Sequence, residues 1–89
     1  MLTVVTLREI ELVFAVLAEL GLSREAVVIP LRPATPGRVE LRPDGRVEVV
    51  FDSQMPAEAQ MPGIRERLRA ILATPAGARV KRADPAEGD

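Results

Sequence analysis

Two periods run through the apolar and polar positions of this chain, and together they divide it into elements. From Leu7 to Leu20 (LREIELVFAVLAEL) the apolar residues recur at helical spacing. Leu7, Ile10, Val13, Phe14, Leu17 and Leu20 share one side, with Arg8, Glu11, Ala15 and Glu19 opposite. Thr6 is a good N-cap, and Glu9 three residues later completes a capping box. Val5 and Ile10 stand at the spacing of a hydrophobic staple, and Gly21 can take the left-handed conformation that closes a helix. Leu12 and Val16 add a strip beside the main apolar face. A helix lying on one surface needs only a single stripe, so something else must cover this strip. The C-terminal helix of the same chain and a second copy of the chain are the two candidates.

The second period is two. Val39 and Leu41 alternate with charges between Arg38 and Arg42, and Val47, Val49 and Phe51 do the same between Arg46 and Phe51, with Pro43-Asp44-Gly45 between the runs. A two-residue loop would set Leu41 against Glu48 and mix the faces. A three-residue loop sets Leu41 against Val47 and Val39 against Val49, with Pro43-Asp44 as a type I turn and Gly45 in the left-handed bulge position. Arg38, Glu40, Arg42, Arg46, Glu48 and Val50 then form the outer face. Glu40 faces Glu48 and Arg42 faces Arg46, so only diagonal pairs attract.

The remaining segments read less sharply. Residues 2–5 suit either a short strand or an arm leading into the helix. Residues 23–29 open with a capping serine, as a short helix would, but Val27, Val28 and Ile29 are β-branched and favour a strand. Pro30 places that strand at a sheet edge. Residues 52–63 form a linker rich in breakers, in which residues 56–60 could make one helical turn. A second helix is expected from Pro62 or Gly63 to Ala73, with Ile64, Leu68, Ile71 and Leu72 on its apolar face. Residues 74–89 hold one large apolar side chain, Val80, and are expected to be disordered. The predicted architecture is therefore α+β. An N-terminal helix packs on a three-stranded antiparallel β-meander (26–31, 38–42, 46–52), followed by a short C-terminal helix. Residues 1–73 form one domain and residues 74–89 a flexible tail.

Composition narrows the chemistry. The 89 residues hold no Cys and no His, which removes thiol chemistry, disulfides and the commonest general base and metal ligand. No cofactor or metal site is expected. A net charge of −1 gives no global pull toward nucleic acid or anionic membrane. The apolar N-terminal run carries Glu9, Glu11 and Glu19, too many charges over too short a span for a membrane helix or a signal peptide, so a cytoplasmic location is expected. An enzyme would have to work with carboxylates alone, drawn from Glu40, Asp44, Glu48, Asp52 and Glu58. Asp44 has a turn role and Asp52 sits at a strand end, so catalysis is not expected.

Two binding surfaces are suggested instead. Leu12, Val16 and Pro30 are the interface candidates for a homodimer or a small protein partner. Met55 and Met61 in the linker could add soft apolar surface. The rival is a nucleic-acid binder, in which Arg32, Arg38, Arg42 and Arg46 contact phosphate. Against it, the glutamates of the same face neutralise the patch and no Tyr or Trp is present to stack on bases. Arg65, Arg67, Arg69, Arg79, Lys81 and Arg82 could form a second basic patch, although pairing with the acidic first helix would absorb it. The helix ending at Gly21 and the Pro-Asp-Gly hairpin resemble parts of a winged helix in element order. Pro30, however, leaves at most seven residues after Ser23 for a recognition helix, and those favour a strand.

Overall fold

The computed structural model describes residues 2–83. Two helices, α1 (Leu7–Glu19) and α2 (Ala57–Leu72), accompany a three-stranded mixed sheet of β1 (Val27–Val28), β2 (Arg38–Leu41) and β3 (Val47–Val50). The class is α+β, as expected, but the sheet is not a meander. Its order is β1-β3-β2, with β1 parallel to β3 and β2 antiparallel to it. The reason lies in the burial of β3. Val47, Val49 and Val50 are buried, as is Phe51 just beyond. A strand with buried residues on both faces, Val47 and Val49 on one and Val50 on the other, suits the centre of a sheet. The nine residues between β1 and β2 include Pro30, Pro33 and Pro36, which suits a crossing rather than a tight hairpin. That segment runs over the end of β3: Ala34 N–H donates to the Phe51 carbonyl at 3.0 Å, and Ser53 N–H donates to the Ala34 carbonyl at 2.9 Å.

The hairpin has the predicted register. Leu41 pairs with Val47, Val39 with Val49 and Glu40 with Glu48. Gly45 has φ +87°, and its N–H donates to the Arg42 carbonyl at 3.0 Å. The Asp44 carboxylate accepts from the Arg46 N–H at 2.9 Å, closing the three-residue loop.

Helix α1 is secured at both ends. The Glu9 carboxylate accepts from the Thr6 N–H at 2.7 Å and from its hydroxyl at 2.6 Å, and these bonds hold the Glu9 carboxyl below its ordinary pKa. At the other end Gly21 has φ +72°. Its N–H donates to Ala18 O at 3.2 Å and that of Leu22 to Leu17 O at 2.8 Å, which is the Schellman closure. Residues 2–5 form an arm rather than a strand, held by bonds from Leu2 N–H to Ser53 O (3.0 Å) and from Val5 N–H to Leu31 O (2.8 Å). The ambiguous 23–29 segment is both things in turn: a 3-10 turn at Arg24–Ala26, then the two residues of β1.

Helix α2 starts earlier than predicted, at Ala57, and carries Pro62 in its interior. Its first turn is tied down from outside. The Gln60 side chain bonds Asp52 and Met55, and Glu58 pairs with Arg8 of α1. These contacts offset the helix bond lost at Pro62.

Disorder from residue 74 onward does not hold as far as residue 83. Residues Pro75–Arg79 form a 3-10 turn capped by Thr74, whose hydroxyl accepts from the Gly77 N–H at 3.1 Å. Gly77 packs so closely on the end of α2 that an added Cβ would stand 2.1 Å from Ile71 O. Val80 is 2% exposed, and Leu22 bridges Arg82 in antiparallel fashion. Lys81 pairs with Glu25 and holds that carboxyl below its ordinary pKa. Arg79 closes over the hairpin loop, donating to the Pro43 carbonyl at 3.2 Å. The last six positions of the proposed tail, 84–89, lie outside the described residues.

Candidate functional site

The predicted interface residues separate. Arg8 pairs with Glu58, and Glu19 with Arg65 at 3.0 Å, so α2 flanks the side of α1 on which Leu12 and Val16 lie. Val16 is 4% exposed and sits in the core of its own chain. Leu12 is half-buried against the same core. Pro30 is half-buried just beyond β1, which is an edge strand as expected.

The open apolar surface is on the other flank of α1. Leu7 is 68% exposed, Leu31 57% and Val4 50%. All three stand within two residues of the Val5–Leu31 hydrogen bond, which brings the arm beside the segment following β1. Ile10 and Phe14 continue the Leu7 flank at helical spacing and are half-buried, with the Arg24 guanidinium 5.0 Å from the Phe14 ring centroid. Arg32, next to Leu31, and Glu11, one turn beyond Leu7, have side chains without an ion pair among the described residues. Leu7 was legible as apolar. Its exposure was not, because helical spacing shows which residues share a face but not how far the core extends around it.

The arginines of the sheet do not form one free patch. Arg38 pairs with Glu48 at 3.0 Å and with Glu40 at 3.5 Å, the diagonal and same-strand partners its position allows. Arg42 lies 3.8 Å from Asp44. Arg32 is at the far side, after β1, away from β2. The candidate catalytic carboxylates also have structural partners. Glu40 and Glu48 hold Arg38, Asp44 holds the hairpin loop, Glu58 pairs with Arg8, and Asp52 accepts from the Gln54 N–H at 2.7 Å. Among the described residues no group of three His, Cys, Asp or Glu side chains comes together as a metal site, and no helix is long and apolar enough to cross a membrane.

One concavity was not anticipated from sequence. A cleft of about 220 Å³ opens where α2 passes the start of β2 and the end of β3. Ala59, Gly63, Ile64 and Arg67 line it from α2, and Arg38 and Val39 from β2. Met55 is also part of the lining, so the linker methionine borders a cavity. The signal for it was the pair of small residues Ala59 and Gly63, four apart on one helix face.

No family model, no curated protein and no solved structure matches this chain. The surfaces themselves therefore carry the functional reading.

Proposed function

We propose that this chain is a small non-catalytic protein-interaction module that self-associates through the apolar ground around its N-terminal arm. The observation that carries this reading is the exposure of Leu7, Leu31 and Val4 around the single Val5–Leu31 backbone bond. Three large aliphatic side chains gathered at one place mark an interaction surface more often than three scattered ones do. The occupant argued for is a second copy. Arg32 and Glu11 flank the patch with opposite charges and no ion pair within the described chain, and a two-fold axis through the patch would set each against the other across the interface. The non-catalytic half of the reading is supported by the turn and ion-pair duties of the candidate carboxylates among the described residues.

A standard interface covers about 800 Å² on each partner. Three side chains fall short of that, so the contact must extend over half-buried Ile10 and Phe14, and a micromolar rather than nanomolar dimer is expected. Analytical ultracentrifugation tests it. The wild type should sediment as a concentration-dependent dimer, and Leu7→Glu with Leu31→Glu as a folded monomer. A wild type that stays monomeric at millimolar concentration removes the proposal. Retention on heparin with a steep salt dependence would instead favour the nucleic-acid reading.

A further inference from the structure

We infer that the cleft between α2 and the start of β2 binds a carboxylate carried on a short aliphatic stem. The inference is independent of self-association, because it uses none of the residues of the arm patch.

The walls define what fits. At about 220 Å³ the cleft is smaller than the roughly 300–1,000 Å³ of ordinary ligand pockets, which excludes a nucleotide or a sugar chain and admits a group the size of a short organic acid or one side chain. Val39, Ile64 and Met55 supply apolar wall for a stem. Ala59 and Gly63 keep the helix side of the cleft open; a Cβ at Gly63 would meet nothing within 4 Å.

The polar groups define the charge. Gln60 has no donor left for an anion: its Nε2 donates to the carbonyls of Asp52 (3.1 Å) and Met55 (3.2 Å), while its Oε1 accepts the Asp52 N–H at 2.8 Å. Arg38 is already neutralised by Glu40 and Glu48, which fix its position. Arg67 is different. It is an exposed residue of the cleft lining, and its side chain has no hydrogen bond or ion pair among the described residues, so its positive charge is left for an incoming anion. A guanidinium presents paired donors that match the two oxygens of a carboxylate. Asp52, at the Gln60 end of the same cleft, disfavours a second negative charge there. The preferred ligand is therefore a monoanion with its charge at the Arg67 end and its stem lying along Gly63 and Ala59.

Two sources supply this chemistry, a free small acid and the acidic side chain of a partner segment. The test is a titration of amide NMR shifts with sodium butyrate in one arm and acetyl-Ala-Glu-Ala-amide in the other, with sodium chloride and butylamine as controls. Saturable shifts confined to residues of the cleft are expected, with neither control reproducing them. The tighter arm identifies the source. Arg67→Gln should weaken binding about tenfold or more, since a charge-assisted bond is lost. Gly63→Leu should abolish binding by filling the cleft while keeping or raising the melting temperature, so a folding defect cannot account for the loss. The inference is overturned if neither carboxylate gives saturable shifts, if chloride gives the same shifts, or if folded Gly63→Leu binds as the wild type does.

Discussion

Gly77→Ala is the sharpest probe of this fold, because it acts on a segment whose composition argues for disorder. An alanine Cβ at this position would lie 2.1 Å from Ile71 O and 2.8 Å from Leu72 Cα. Both are backbone atoms of α2 or its end, and neither can rotate away. The 3-10 turn must therefore lift off the helix. Lifting it exposes Val80, now 2% exposed, and opens the bonds from Ser23 N–H to Lys81 O (3.1 Å) and from Ala83 N–H to Gly21 O (2.9 Å). Forcing a methyl group into a closely packed site costs about 1–3 kcal/mol through the backbone shift it imposes. A middle value of about 2 kcal/mol corresponds to about 8–16 °C in Tm for a domain of this size. Differential scanning calorimetry reads the shift, and amide exchange at Ser23 and Ala83 locates it. Ala78→Ser, at an exposed position of the same turn, should stay within about 0.5 kcal/mol. If Gly77→Ala melts within about 2 °C of the wild type and both amides stay protected, the close packing of this turn on α2 is wrong.

Two further outcomes follow from the same geometry. Gly63→Ala should stabilise the protein by about 0.8–1 kcal/mol in urea unfolding, since Gly63 lies inside a continuous helix and its Cβ would meet open space; no gain would mean the helix is interrupted after Pro62. Glu9 and Glu25 both have carboxyl pKa values below the ordinary 4.5, Glu9 through its bonds from Thr6 and Glu25 through Lys81, so their ionised forms are favoured in the fold. Their contribution is complete above the unfolded-state value and is lost as the pH falls through the lower folded value. Melting temperature should therefore hold level down to about pH 5 and drop below it, with a smaller drop in the Glu9→Gln, Glu25→Gln double variant. An identical acid limb in that variant would refute the assignment.

Local chemistry was legible where it involved neighbours in sequence. The β2–β3 register followed from matching Leu41 to Val47 and Val39 to Val49, and both ends of α1 followed from Thr6-Glu9 and from Gly21. What escaped was whatever depends on contacts distant along the chain. The parallel pairing of β1 with β3 rests on β3 being buried on both faces, a signal present in Val47, Val49, Val50 and Phe51 but outweighed by the habit of pairing consecutive strands. The early start of α2 depends on Gln60 reaching Asp52 and Glu58 reaching Arg8, which no helix-propensity argument contains. The ordering of residues 74–83 depends on one glycine that can approach α2 and one valine that fills the gap beside it. Composition averages over such a segment and misses both.

The central position of β3 also accounts for where the two candidate surfaces lie. With β1 and β2 as the outer strands, the chain must cross the end of the sheet between them, and the crossing carries Leu31 to the β1 side and Gly37 to the β2 side. On the β1 side the arm is attached through the Val5–Leu31 bond, and Leu7, Leu31 and Val4 remain outside the core. On the β2 side α2 passes the strand with small residues at 59 and 63, so the helix does not close on the sheet and the cleft remains. A meander would have placed β2 in the centre, removing the free flank that the cleft needs. The apolar patch and the Arg67 cleft thus arise from one topological choice but share no side chain. Energetic coupling between sites that share no partner is small, so the proposed self-association and the proposed carboxylate binding can be tested separately.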